Sequence, residues 1–580
     1  MARVNGVPER VARALRDIPI GDVMTYLARL TEHDRYQASL GIERAAELIA
    51  SAAEAIGLAG VTVERFPADG ATRWWTFQAP RAWTPTAARL EIRAGECVVV
   101  AVDHAAQPFT IATYSAPART VARVASLRGD VAGAVVVVDP ADYARPELVA
   151  TLAARGALGF VTDGPCRDGL PGRIELDART SLFGFSVTAA QRLAIGEAVD
   201  AAAHVVVDVD RSARMPVVTG VLPGRGAGEV WLTSHLCHPR PGANDNASGA
   251  AALLGVAATL RGRDLERSVR FVWGPEFLGV AALLHDRFER TGAGGRPVAV
   301  INLDMVGEDP ARCGVPLVVE RAPEWCPSIV TPVAEHVVDA VFAQTAEHAG
   351  TWRPGPFYGF SDHALFANFA DAASRSPAVQ LWHPGDPFNH SAADSLDKVS
   401  AIEVQRAVAA GAVIAELVAA GDHEPLAPVV RAWCEREARA AADVAQRYEP
   451  EHRAWSRRLV DHVREQAAAL LAIAGAGPAA CTAPRRARGA FAGRWPGPFN
   501  YRGLLGELAT ADRDAVMSLF VADKRNYAVL THLAMLADGC VSRDETIDAA
   551  SLALRYPIDA AVGGRLWSAL LASGWLAELP

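Results

Sequence analysis

Six short strings, all between residues 235 and 391, carry the side chains best suited to chemistry: His235-Leu-Cys-His238, Asn244-Asp245-Asn246-Ala-Ser-Gly249, Pro275-Glu276, Asn302-Leu-Asp304-Met, Ser361-Asp362-His363 and Asn389-His390-Ser. His235, Asp245, Glu276, Asp304 and His390 supply imidazole nitrogen and carboxylate oxygen, the donors that a divalent ion of zinc type prefers. Each lies beside the end of an apolar run, so distant stretches of chain could meet at one ion. The chemistry such a set performs is hydrolysis by metal-activated water.

Apolar runs explain how these residues would be delivered. Glu229–Ser234, Ser268–Trp273 and Pro297–Leu303 each read as a buried strand, and they present His235, Glu276 and Asp304 from their ends. Ala247 to Leu260 and Gly279 to Phe288 have apolar residues at helical spacing between those strands. Strands alternating with helices imply an α/β fold with a mostly parallel, mixed sheet flanked by helices. Ligands in such sheets bind beyond the carboxyl ends of the strands, where the candidates fall.

Taken residue by residue, the chain resembles the zinc aminopeptidase family that also contains bacterial leucyl aminopeptidase, glutamate carboxypeptidase and the glutaminyl cyclases. The resemblance spans roughly residues 20–80 and 216–420. It implies that His235 is a first zinc ligand and that Asp245, in Gly242-Ala-Asn-Asp-Asn-Ala-Ser-Gly249, bridges two metals. Asp304 in Asn-Leu-Asp-Met-Val-Gly is then the next ligand, and His390, in His-Ser-Ala-Ala-Asp394-Ser, the last. Tyr358 stands where some relatives keep a tyrosine that stabilises the oxyanion. A less characterised subgroup with a Cys-His-Pro element, a Pro-Glu pair and a C-terminal winged helix is more similar still.

Two departures from the family pattern bear on mechanism. Relatives carry adjacent glutamates, one a general base and the next a ligand, where this chain has Pro275-Glu276. Glu276 is therefore either a metal ligand or the base over a single metal, and Glu308 or Asp309 is a further candidate acid. Cys237 replaces an aspartate that orients the first histidine, and the loss of such a carboxylate costs about 10–100-fold in metal affinity. Cys237 could instead be a soft ligand, and either His235 or His238 could face the metal.

Composition bounds the rest. The 580 residues suit three or four domains, and a formal net charge of −9 argues against a nucleic-acid surface across the chain. The first ten residues hold no apolar signal core and no apolar run is long enough to span a bilayer, which points to a cytoplasmic protein. Eight cysteines without paired spacing read as reduced thiols.

Residues 1–85 read as the N-terminal part of a peptidase-like domain, with helices over Val11–Leu30 and Gly41–Leu58 and a strand over Val61–Phe66. Residues 86–215 form a block of β-branched strands resembling a protease-associated domain, and 216–420 hold the metallopeptidase-like core. Helical periodicity from Ala427 to Ala474 and a Gly/Ala/Pro-rich linker with Arg485, Arg486 and Arg488 make up 421–498. Residues 499–580 resemble a winged helix whose last helix has only Arg565 as a clear cation, which favours packing or dimerisation over nucleic-acid binding.

Gly359-Phe-Ser361 lacks the second glycine of a nucleophile elbow, and no phosphate-cradling loop appears. The expectation is a zinc-dependent, aminopeptidase-like hydrolase of a peptide or related amide, with one or two zinc ions. The alternatives are a glutaminyl-cyclase-like acyltransferase with one zinc on Asp245, Glu276 and His390, and a non-catalytic binding scaffold.

Overall fold

The computed structural model describes residues 6–198, 200–291, 295–421, 424–476 and 489–579. Its centre is an eight-stranded mixed sheet in the order Ala59–Phe66, Met215–Leu222, Ser268–Gly274, Glu229–His235, Ala299–Leu303, Ala378–Trp382, Leu317–Glu320, Trp352–Gly355. The middle strands run parallel: Glu229–His235 pairs with both Ser268–Gly274 and Ala299–Leu303, and the latter pairs with Ala378–Trp382. These middle strands are almost wholly buried. Near-continuous apolar sequence suits a strand covered on both faces, which is why the runs lack polar alternation.

One covering layer consists of Ile20–Leu30, Leu40–Ile56, Gly249–Leu260, Val330–Gln344 and Ala401–Ala419, which share a single apolar core with the sheet. Leu278–Thr291 and His363–Ala367 cover the other face, around Trp231 and Phe366. The helix expected over Val11–Leu30 is two helices, Val7–Asp17 and Ile20–Leu30, because Pro19 between them has no amide hydrogen with which to continue the first. The long helix Ala427–Ala476 is interrupted at His452, where φ is −133° and ψ 46°. Arg485, Arg486 and Arg488 of the expected linker lie outside the described residues.

A second sheet of seven strands, in the order Cys97–Asp103, Thr84–Ala94, Ala202–Asp210, Ala118–Ser126, Ala134–Val138, Gly159–Thr162, Phe183–Ser186, has its own apolar cores on its two faces. It is joined to the first unit beside the chemistry. Arg173 N donates to His390 O at 2.8 Å and Ala392 N to Pro171 O at 2.9 Å.

The C-terminal region holds the helices Tyr501–Glu507, Thr510–Ala522, Asn526–Leu536, Arg543–Leu554 and Ala560–Ala572. Leu576–Glu578 returns to pair antiparallel with Phe491–Gly493. This region is packed onto the central unit through Trp325 and Phe357 and through a buried ionic network. Arg321 bridges Glu335 and Glu437 at 2.6 Å each, and Arg555 reaches Glu437 at 2.7 Å. No helix among the described residues is long and apolar enough to cross a membrane, and Cys97, Cys166, Cys237, Cys313 and Cys434 are free thiols.

Arg35 ties the N-terminal helices to the loop after Glu229–His235. Its side chain is fully buried and donates to Leu236 O at 2.9 Å, to Gly242 O at 3.0 Å and to Leu30 O, while its backbone exchanges two 2.8 Å hydrogen bonds with His238. Truncation would strand several buried carbonyls, each of which costs about 1–3 kcal/mol when unpaired. Arg35→Ala should therefore lower unfolding stability by about 3 kcal/mol or more, measured by chemical denaturation.

Candidate metal centre

The candidate ligands fall where the parallel strands end. His235 closes its strand in register with Gly274, and Glu276 follows two residues beyond that partner. Asp304 follows Leu303 directly, and His390 comes from the loop after Ala378–Trp382. Three residues here hold left-handed backbone: Phe277 at φ 57°, Met305 at φ 54° and His390 at φ 61°. Non-glycine residues hold that conformation at a cost of about 1–3 kcal/mol, and it persists where surroundings over-determine it. Those surroundings are visible, since Asp362 Oδ1 accepts Phe277 N at 2.6 Å and Asn246 Oδ1 accepts Met305 N at 3.0 Å.

Asp245 sits in a wide turn, Ala243–Ser248, that leads into the helix Gly249–Leu260. A side chain at Gly249 would put Cβ 2.4 Å from both Asn246 Oδ1 and Leu303 O, so only glycine lets this helix start against the strand end. Asp394 fixes the turn from the other side by accepting Asn244 N at 2.7 Å and Asp245 N at 3.0 Å.

Two donor groups result. His235, Glu276 and Asp304 form one, and His238, Asp245 and His390 the other; within each group the donor atoms lie within 4.8 Å of one another. Asp245 stands between them. Its Oδ1 is 3.3 Å from His235 Nε2, and its Oδ2 is 3.3 Å from both His238 Nε2 and His390 Nε2. Asp304 Oδ1 is 3.1 Å from His235 Nε2. His390 is half exposed on its side chain and stacks on His238 with ring centroids 5.5 Å apart.

Both buried imidazoles are oriented through Nδ1 by backbone. His235 Nδ1 donates to Cys237 O at 3.1 Å, and His238 Nδ1 to Pro239 O at 2.9 Å. With the proton on Nδ1 and its pKa lowered by burial, His238 turns the lone pair of Nε2 toward Asp245 Oδ2. His238 Nε2 is buried and has no hydrogen-bond partner. A lone pair facing a carboxylate is repulsive until a cation lies between them, so this donor set fits a divalent ion of zinc type.

The protein groups alone already sort their protonation. Burial opposes ionisation of Asp245, yet His238, His235 and His390 together hold its carboxyl well below the usual range. Burial lowers His238 despite Asp245. The same burial would lower His235, but Asp304 and Glu276 raise it well above its ordinary value. Burial pushes Glu276 up to about 8 against the pull of His235, with Asp304 and Asp362 adding to the rise. Asp362 and Asp394 are likewise pushed up by burial, to about 7 and about 8.

Several expectations change here. The choice between His235 and His238 dissolves, because each lies in a different donor group. Cys237 is in neither group; its sulfur accepts Glu276 N at 3.2 Å, and its carbonyl does the orienting of His235 that a carboxylate does in relatives. Tyr358 does not approach the donors. Its amide donates to Glu320 at 2.7 Å, and its ring stacks on Phe360 and packs with the C-terminal apolar cluster. Asp309 caps the short helix Pro310–Cys313, and Glu308 lies in a separate acidic group. His363 pairs with Glu320 at 2.8 Å, and His383 with Met305 O at 2.9 Å.

Asp362 is the neighbour that sequence reasoning left without a role, although it was in view within Ser361-Asp-His. Arg173 and Arg502 had no local signal at all. Arg173 lies beside His390 and pairs with Glu175 at 2.6 Å, and Arg502 from the C-terminal region comes within electrostatic reach of Glu276 and Glu175. Phe277 and Leu278 share with Tyr501 and Arg502 the wall of a cavity of about 310 Å³ next to this centre.

Residues 217–417, which contain every candidate ligand, match the family model of peptidase family M28, and residues 73–311 match a domain of unknown function, DUF4910. No curated protein matches the chain by sequence. A candidate peptidase of Clostridium acetobutylicum superposes with a TM-score of 0.51 at 15% identity, over 71% of this chain and 84% of that one. The peptidase M28 precursor of Shewanella amazonensis gives 0.50 at 14% identity, over 71% and 95%. BSAP, a zinc aminopeptidase from Bacillus subtilis, gives 0.49 at 18% identity, over 68% and 94%. The first two establish a shared α/β fold. Together the fold, the two donor groups and the M28 segment define a metallopeptidase-like hydrolase.

The Asp394 carboxylate meets the centre through two backbone amides, Asn244 N and Asp245 N. Asp394→Ala should leave the fold intact by circular dichroism yet weaken metal retention about 10–100-fold in a chelator competition.

Proposed function

We propose that this chain is a zinc-dependent, aminopeptidase-like hydrolase that holds two ions and acts on a peptide or related amide. The observation that carries this reading is Asp245 between His235 on one side and His238 and His390 on the other, with His238 Nε2 otherwise unpartnered. His235, Asp304 and Asp245 Oδ1 would hold one ion, and His238, His390 and Asp245 Oδ2 the other. His238 then fills the ligand place that Pro275-Glu276 leaves short of a glutamate. Held by these residues, a zinc ion would supply Lewis-acid chemistry, an acidified water and a polarised scissile carbonyl.

Glu276 is the base in this reading. It is beside His235 and Asp304, and its amide is anchored on Cys237 sulfur. Its carboxylate takes the proton of the attacking water and returns it to the leaving amine. Asp362 holds the turn at Phe277 and so fixes where that carboxylate points. Arg173 and Arg502 place two cations near the cleft and suit a substrate that carries a carboxylate, as a short peptide does. Six donors in two groups favour two ions over the single ion of a cyclase, and they give a metal-free scaffold no reason for its unpaired imidazole.

The test separates ligand from base. Glu276→Gln should keep about two zincs per chain and lower kcat on aminoacyl amides by about 10²–10⁴-fold, the range of a lost general base. His238→Ala should lose one of the two zincs. A Glu276→Gln protein that loses an ion with its activity would make Glu276 the ligand, and a product that has released ammonia without adding water would favour the cyclase.

A further inference from the structure

Behind the centre lies a third group of donors that the proposed reaction does not use. Glu308, Cys313 and Asp386 bring one carboxylate oxygen, the thiol sulfur and another carboxylate oxygen within 4.8 Å of one another. Glu308 follows the Asp304 segment, Cys313 ends the short helix Pro310–Cys313, and Asp386 lies on the loop that leads to His390.

Glu308 is fully buried, and neither of its carboxylate oxygens has a hydrogen-bond partner. Polar groups so deeply buried are almost always paired, and an unpaired carboxylate is among the costliest groups to bury. The Cys313 thiol favours the charged form of Glu308, but the carboxylates around it oppose that form. Asp386, Asp394 and Glu403 are like charges that act on it, and Glu403 is itself paired with Arg406. Burial and these carboxylates push the Glu308 carboxyl up to about 8.

Asp386 is arranged differently. Asn244 Nδ2 donates to its Oδ2 at 2.9 Å and Phe388 N to its Oδ1 at 2.8 Å. Those bonds fix the carboxylate's orientation and leave each oxygen a further lone pair. A carboxylate oriented by a side-chain amide and a backbone amide, facing an orphaned carboxylate and a thiol, is the surround of a ligand.

We infer that Glu308, Cys313 and Asp386 form a third metal site, distinct from the two donor groups at the centre, that takes a zinc-type ion. The thiol decides the class, since sulfur selects zinc and its neighbours over calcium or magnesium. Binding displaces the thiol proton of Cys313 and any proton held by Glu308 to solvent, and the ion then balances their charges. The donor separation contracts modestly to meet metal–sulfur and metal–oxygen bonds of about 2.3 and 2.1 Å. A structural role follows from place. Asn244 bonds Asp386 through Nδ2 and accepts Gly307 N through Oδ1 at 3.0 Å, and its neighbour in the chain is Asp245. An ion here would stiffen the turn that carries Asp245.

The inference is tested on the full-length protein loaded with zinc alone, and separately with cobalt alone, by metal content per chain and near-ultraviolet absorption. Wild type should hold one ion more than either Cys313→Ala or the isosteric Glu308→Gln, and the cobalt protein should show a thiolate-to-cobalt band that Cys313→Ala abolishes. His238→Ala should lower metal content while keeping that band, which separates this site from the centre. Equal metal content in wild type and Glu308→Gln, the absence of the band in wild type, or a band that survives Cys313→Ala would each overturn the inference. Glu308 and Asp386 would then be sharing a proton.

Discussion

Asp245 is the residue on which the centre depends. Three imidazole nitrogens, from His235, His238 and His390, each lie 3.3 Å from its carboxylate oxygens. Holding that carboxylate ionised inside the protein would be costly alone, and the histidines are what keep it so. Two backbone amides, Asn244 N and Asp245 N, are in turn fixed on Asp394, and Gly249 lets the next helix start close beneath. Much of the surrounding architecture can be understood as a scaffold for this one turn.

The departures from the family pattern are compensated locally. Cys237 in place of a carboxylate does not leave His235 unoriented, because the Cys237 carbonyl accepts from Nδ1. Its sulfur meanwhile accepts the amide of Glu276, so one small residue steadies two members of the centre. Proline at 275 leaves one glutamate, and His238 lies where a further donor to the second group is needed. The loop that makes this geometry is held by Arg35, from the far side of the molecule in sequence.

Three parts of the chain meet at the cleft. The second sheet contributes Arg173 and Glu175, and the C-terminal region contributes Arg502 and Tyr501. The C-terminal region is also locked onto the central unit through the Arg321, Glu335, Glu437 and Arg555 network, whose charges are largely buried. Breaking such a network leaves unpaired charge inside the protein, so the region is held in one position over the cleft.

The sequence by itself determined the α/β class, the order of the ligand strings and the strand ends that carry them. Buried parallel strands need unbroken apolar runs, and those runs are visible without a structure. It also gave His235, Asp245, Glu276, Asp304 and His390 as the residues to watch, and the structure brings all five together. Tertiary structure alone decided that His235 and His238 serve different donor groups, that Cys237 turns its sulfur to an amide, and that Tyr358 packs toward the C-terminal cluster. It alone brought Arg173 and Arg502 near the centre and left Glu308 unpaired beside Cys313 and Asp386. The reason is physical: strand periodicity is encoded locally, whereas the direction of a loop side chain and the meeting of residues hundreds apart are set by packing across the whole chain.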